Sequence, residues 1–235
     1  MYESLIRKLE ERGCRVKRIR EFETPATKYP SKRFGEAEIV KEKYKRGLYL
    51  HEGVGGYDFF FVEREIPVTK LRVRGETVMV DDPLHWEGMK LLGKKAEGRV
   101  LTGGLGLGLI AHALAKNPRV KEVTIVERNK DVRELVKPLI PDEKIRVCEG
   151  NILDDKWYEP CPDTVILDLW TLGKESPKEE RAKVWEEMMT ALAKIKYKCP
   201  NTKVWIWGLR NRELNPAVEK EVCEPYEFIA KTIKE

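Results

Sequence analysis

Arg99-Val-Leu-Thr102 is an apolar run that passes straight into Gly103-Gly104-Leu105-Gly106-Leu107-Gly108. These glycines open the helical pattern Leu109-Ile-Ala-His-Ala-Leu-Ala115. Alternating glycines after a strand let the backbone turn sharply and lie close to a ligand, so the stretch suits an adenosine-bearing cofactor, with Gly104, Leu105, Gly106 and Gly108 as its cradle. Glu127 closes Val123-Thr-Ile-Val-Glu127, 19 residues beyond Gly108. That is about where a carboxylate reaches ribose hydroxyls, and Arg128 follows it. Asn151 and Ile152 come after Ile145–Glu149 and Gly150, and Asp168 closes Thr164-Val-Ile-Leu-Asp168. Each has a plainer use taken singly: helix–strand packing for the glycines, a surface carboxylate, a turn, a helix N-cap. Together, at the ends of successive strands, they favour a nucleotide-type site. A dinucleotide needs G-x-G-x-x-G to seat its pyrophosphate. Counted from Gly104 and Gly106, that third glycine would stand where Leu109 is.

Groups suited to chemistry on a substrate are fewer. Asp168 is expected to take a proton or anchor an amine. Asp81 and Asp82 stand at the junction between the N-terminal strands and the next helix, where they line the same cleft or simply start that helix. His85, beside Trp86, is the better histidine for the cleft, and His112 is expected to be packed or solvated. Trp170 caps a substrate by stacking or packs on the following helix. Trp205 and Trp207 alternate with Val204 and Ile206 in a run expected to be covered on both faces. Five cysteines, Cys14, Cys148, Cys161, Cys199 and Cys223, are odd in number, scattered and without a CxxC pair. They argue against a disulfide framework and against a zinc site, so no metal is expected. Buried thiols are expected instead, with Cys161 in a loop.

The elements that must position these residues change character along the chain. Leu5, Ile6 and Leu9 recur at helical spacing, so a helix is expected over residues 4–12, ended by Gly13. Residues 37–81 read as short strands with turns between them: 36–44, 47–51, 57–63, 67–74 and 77–80. Without helices between them they imply a small antiparallel sheet. Asp82-Pro83 starts a helix. From residue 99 the pattern is βαβ, with strands at 99–102, 122–127, 144–149, 164–168 and 203–208 and helices at 109–116, 131–139 and 178–196. This is an α/β fold with a Rossmann-like, doubly wound, mainly parallel sheet, expected in the order 3-2-1-4-5. The residues after Gly208 look mainly helical. Two domains are expected, a helix plus small β domain over 1–82 and the cofactor domain over 83–235.

The G-x-G-x-G spacing resembles motif I of class I S-adenosylmethionine-dependent methyltransferases, and the resemblance covers residues 76 to about 208. Thr102, a neutral residue where many methyltransferases carry an acid, and the β-rich N-terminal part resemble the spermidine-synthase-like branch. The resemblance implies that Gly104, Gly106 and Gly108 shape the pocket for the methionine part of S-adenosylmethionine. It places Glu127 on the ribose, Asn151 and Ile152 at the adenine, and Asp168 by the sulfonium or the entering substrate. Many relatives have Asp at position 151; Asn accepts a hydrogen bond there through its amide oxygen but brings no charge. Polyamine synthases of that branch carry a second acid soon after the strand-four aspartate. Here the run is Asp168-Leu-Trp-Thr-Leu-Gly173, and no Tyr-His-Glu run stands in 78–87. The Asp/Asn-Pro-Pro-aromatic motif of base methylation is missing too.

The chain has 235 residues, 41% of them hydrophobic and 36% charged. That charge content, dominated by Lys and Glu, resembles thermophilic proteins. Neither an apolar membrane-length run nor an apolar leader is present, so the expected location is the cytoplasm. Residues 1–50 hold 14 Lys/Arg against 8 Asp/Glu, and the net charge is +5. Such a basic arm leaves nucleic acid open as a partner, though charge runs are usually solvated faces; a homodimer is also left open. Three functions follow in order: methyl transfer to an unidentified acceptor, aminopropyl transfer from the decarboxylated cofactor, and cofactor binding without catalysis.

Overall fold

The computed structural model describes residues 2–51, 53–141, 143–170, 177–221 and 223. Helix α1 (Tyr2–Glu11) buries Ile6 and Leu9, one turn apart, and charges cover its other face. Seven strands follow: β1 (Val16–Ile19), β2 (Lys32–Phe34), β3 (Ala37–Tyr44), β4 (Gly47–Leu50), β5 (Phe59–Val62), β6 (Ile66–Val73) and β7 (Glu76–Val80). They form two sheets, β1-β5-β4 and β2-β3-β6-β7. The second is antiparallel throughout, with β3 against β6 from Ala37–Val73 to Tyr44–Ile66. The first is mixed, because β1 runs parallel to β5. The expectation of one antiparallel sheet is corrected here. A parallel neighbour needs a long crossover, and the four-residue β1 gives too short a pattern to be read from sequence.

Helix α2 (Pro83–Lys95) is capped by Asp82, whose side chain accepts from the His85 N–H, with Pro83 in the first turn. Then come β8 (Gly98–Gly103), α3 (Leu109–Ala115), β9 (Val120–Glu127), α4 (Lys130–Val136), β10 (Ile145–Glu149), β11 (Thr164–Leu167), α5 (Lys178–Lys198) and β12 (Lys203–Ile206). The five strands make one parallel sheet in the order β10-β9-β8-β11-β12. The order reverses beside β8, where open α/β sheets bind ligands. β11 is buried at every position, as a strand covered on both faces must be.

One apolar core joins the two parts. Tyr29, Ile39, Leu71 and Met79 from the N-terminal elements pack with Leu105, Leu107, Leu114 and Val123 of the parallel-sheet half. Asp81 is fully buried between them, accepting from Thr24 Oγ1 and, at 2.5 Å, from the Thr69 N–H. The expected helical character after Gly208 is corrected: residues 209–221 are turns. They lead back to the N-terminal half, where Val218 bridges Val54 and the Gly55 N–H donates to the Ala217 carbonyl at 3.1 Å. Residues 224–235 lie outside the described residues.

The cysteine expectation is also overturned. Cys14 pairs with Cys223, and Cys161 with Cys199, leaving Cys148 free. Their Cα atoms stand 5.4 Å and 5.6 Å apart, inside the bridging range. Each pair is brought together by the tertiary fold, so no local spacing announced it. The basic surplus of residues 1–50 meets acids from outside that segment: Arg18 and Arg20 meet Glu63, and Lys43 meets Glu65. Among the described residues no helix is long and apolar enough to cross a membrane.

Candidate functional site

The carboxyl end of the parallel sheet opens into a cavity of about 720 Å³. Its base is the turn after β8. Gly104 and Gly106 have φ of +89° and +50°, a region that side chains strain to occupy. A Cβ on Gly104 would overlap the Asp168 carbonyl oxygen, and one on Gly106 would overlap the Met79 sulfur. The turn therefore lets three chain segments meet at van der Waals distance. Met79 Sδ also accepts from the Leu107 N–H at 2.9 Å. The Asp168 N–H donates to the Gly103 carbonyl at 3.0 Å, which sets Asp168 beside the turn.

Glu127 ties the next strand end to the same loop. One carboxylate oxygen accepts from the Leu105 N–H at 2.9 Å and the other from the Asn129 N–H at 2.7 Å. Each oxygen keeps a second acceptor direction, and Glu127 lines the cavity. Thr102, buried, donates to the Gly104 carbonyl at 3.5 Å. Asn151 Oδ1 accepts from the Leu153 N–H at 3.0 Å, and the Asn151 carbonyl accepts from Trp157 Nε1 at 2.8 Å.

Of the residues expected at the site, Gly104, Gly106, Glu127, Arg128, Asn151, Ile152, Asp168, His85 and Trp170 all line this cavity. Three do not. Leu105 is buried, contributing its N–H to Glu127 rather than a side chain to the cavity. Gly108 is the N-cap of α3 and faces Ile140 and Val136. Asp82 is the cap of α2 and lines a separate, smaller cavity. Burial pushes its carboxyl up, against the pull of the His85 N–H, the His85 ring and the Tyr44 hydroxyl. Asp81 is likewise internal, its carboxyl pushed up by burial.

His85 and Asp168 come together. His85 Nε2 lies 3.7 Å from Asp168 Oδ2, with side chains 16% and 24% exposed. Burial alone would lower the imidazole pKa, but Asp168, Asp82 and Asp81 outweigh it and hold the pKa above its ordinary value. Trp207, expected in the core, is half-buried and packs against it, and it also stacks on His85 with centroids 5.0 Å apart. Trp170 donates through Nε1 to Glu187 at 3.1 Å. Residues 171–176, which include the end of the run Asp168–Gly173 that carries no second acid, lie outside the described residues. His112 is engaged by the Tyr29 hydroxyl at 2.8 Å.

Sequence reasoning missed one wall and part of another. Leu71, Val73, Val78 and Met79 come from β6 and β7, and Glu186, Glu187 and Lys194 from α5. The strand alternation marks Val73 and Val78 as sheet residues without saying which face meets the parallel-sheet half. For α5 no spacing signal existed, because only the tertiary fold lays it across the cavity.

No family model matches the chain, and no curated protein matches it. Among solved structures it is similar to a dimethyladenosine transferase from Plasmodium falciparum, at 17% identity and a TM-score of 0.33. The match covers 46% of this chain and 37% of that one, so the chain spans well under two thirds of its length.

Proposed function

We propose that the protein is a transferase that binds S-adenosylmethionine and moves its methyl group to an acceptor held in the same cavity. The observation that carries this is the convergence on one cavity of Gly104, Gly106, Glu127, Asn151, Ile152 and Asp168, the residues expected to hold the cofactor. The fit is supported by three features. The cavity's volume lies in the range of ligand sites, about 300–1,000 Å³. Its glycine turn leaves backbone where a Cβ would intrude. Glu127 is held by two backbone N–H groups with acceptor capacity to spare for a diol. When bound, the cofactor supplies an electrophilic methyl group on a sulfonium. Glu127 takes the ribose hydroxyls, Asn151 and Ile152 the base, and the glycine turn the amino-acid end. Asp168 stands at the acceptor side, where it orients the nucleophile and takes its proton.

Aminopropyl transfer is the second reading, favoured by the β-rich N-terminal part and by the carboxylates Asp168, Glu186 and Glu187 on one cavity. Calorimetry against S-adenosylmethionine, its decarboxylated form, S-adenosylhomocysteine and NAD separates the readings. Binding of S-adenosylmethionine and S-adenosylhomocysteine is expected. Preference for the decarboxylated form would move the assignment to aminopropyl transfer, and no binding at all would remove it. Glu127→Ala should weaken nucleoside binding at least tenfold, since it removes a hydrogen-bonded charge worth roughly 1.5–3 kcal/mol; unchanged affinity would sink the ribose assignment. A nucleic-acid acceptor reached through the basic arm is proposed only as a case for test, by a gel shift whose salt dependence reports phosphate contacts.

A further inference from the structure

The large cavity and a second one of about 140 Å³ have one described lining residue in common, His85. The second cavity lies between the start of α2 and the C-terminal turns, where Asp82, Trp207, Leu209, Arg210 and Val218 line it. Three contacts fix the histidine in this wall. Its backbone N–H donates to Asp82 Oδ1 at 2.9 Å, its ring stacks on Trp207 at an interplanar angle of 26°, and its Nε2 faces Asp168 Oδ2 at 3.7 Å. Nε2 is buried and has no hydrogen-bond partner among the described residues. The 3.7 Å gap is too long for a hydrogen bond, and a small side-chain rotation closes it. Nε2 is thus buried in the wall between the cavities, facing Asp168 Oδ2.

We propose that His85 relays a proton between Asp168 and the second cavity, so that the acceptor is a molecule whose reacting nitrogen or oxygen carries a proton to lose. This rests on the transferase reading above. Asp168 takes the proton from the acceptor's N–H or O–H, and Oδ2 passes it to His85 Nε2. The imidazolium then releases its other ring proton, from Nδ1, to solvent through the second cavity; Asp168 is again a carboxylate, and the ring, left as the Nε2–H tautomer, is reset by proton exchange with solvent before the next turnover. An acceptor that reacts through a thioether or a tertiary amine has no such proton, and the pair would serve it nothing. The charged groups around the ring are Asp168 ahead of it, Asp82 and Asp81 beside it, and Arg210 on the far cavity. The three carboxylates favour the imidazolium, which eases the hand-over from a carboxyl that has just been protonated. His85 is a positioning residue for Asp168, since it does not touch the acceptor.

The test is a nitrogen-15 NMR titration of the histidine side chains in the full chain. Asp168→Asn should move the His85 titration to lower pH. Val218→Phe and Leu209→Phe, which fill the second cavity, should each slow exchange of the His85 ring N–H with solvent, while saturating S-adenosylhomocysteine should not. Two such variants guard against one failing to fold. A His85 titration indifferent to Asp168→Asn, or exchange slowed by S-adenosylhomocysteine but by neither filling variant, overturns the relay. If S-adenosylhomocysteine binds and the coupling is absent, the relay alone fails. If it does not bind the wild-type chain, the transferase reading fails whatever His85 does.

Discussion

His51 should make the fold acid-labile in a measurable way. Its side chain is fully buried, edge-on to Tyr57 and Phe60, and neither ring nitrogen has a hydrogen-bond partner among the described residues. Burial, with the nearby Lys17 charge, pushes its pKa from 6.5 down to about 4. The folded state therefore holds the ring neutral where the unfolded chain protonates it. Stability contributed by the neutral ring is whole above pH 6.5 and is lost as the pH falls towards 4, because there the unfolded state binds the extra proton. At 1.36 kcal/mol for each pKa step, the full loss is about 3 kcal/mol. About 2 kcal/mol of it is reached by pH 4.5. Asp81 and Asp82 act in the opposite sense, since burial raises their pKa values, so raw acid stability mixes signs. A comparison with His51→Phe and His51→Asn cancels them. Urea unfolding at pH 7 and pH 4.5 should show the wild type losing about 2 kcal/mol more than either variant. Parallel losses in all three would refute the reasoning.

Gly104→Ala should strain both backbone and site. Its φ of +89° costs a side chain about 1–3 kcal/mol, and the new methyl overlaps the Asp168 carbonyl. Lower thermal stability and loss of S-adenosylhomocysteine affinity should appear together, and wild-type affinity in a fully folded variant would count against the cradle. Replacing Cys161 and Cys199 by Ala should destabilise the fold. The sequence separation of 38 gives a chain-entropy contribution of about 4 kcal/mol, or a fall in Tm of roughly 10 °C. An unchanged Tm under matched non-reducing conditions would show that this bridge constrains nothing.

Legibility followed the range of the interactions involved. The parallel strands were readable because each is a run of Val, Ile or Leu ending in a polar residue at the sheet's carboxyl end, as Val123–Glu127 and Thr164–Asp168 are. Fold topology then carries such endings to one edge. That is why the placing of Glu127 and Asp168 on one cavity is legible without knowing any partner of theirs. The place of Gly108 is not legible for the opposite reason. Three alternating glycines look alike in sequence, yet the first two turn the loop and the third caps α3 against Ile140. Asp82 shows the same ambiguity, because an aspartate before Pro83 satisfies a helix start and a cleft equally well until the helix is placed. The disulfides, the α5 wall of the cavity and the return of the C-terminal turns depend on contacts between distant segments. Nothing in local spacing encodes them.

The return of residues 215–223 bears on how the chain reaches its fold as it leaves the ribosome. Cys14 meets a partner 209 residues later, and Asp58 accepts from the Cys223 N–H and from Lys220, each at 2.9 Å. The buried carboxylate of Asp58 thus waits for donors among the last of the described residues to be synthesised. Until they emerge, the Asp58 side chain has the Arg15 N–H as its hydrogen-bond donor, and the β1-β5-β4 sheet lacks its strap. The parallel-sheet half pairs its strands without these last residues, β12 with β11 being its final pairing, and can assemble earlier. The N-terminal part is made first and completed last, an order that favours slow maturation and exposure to chaperones over the interval between.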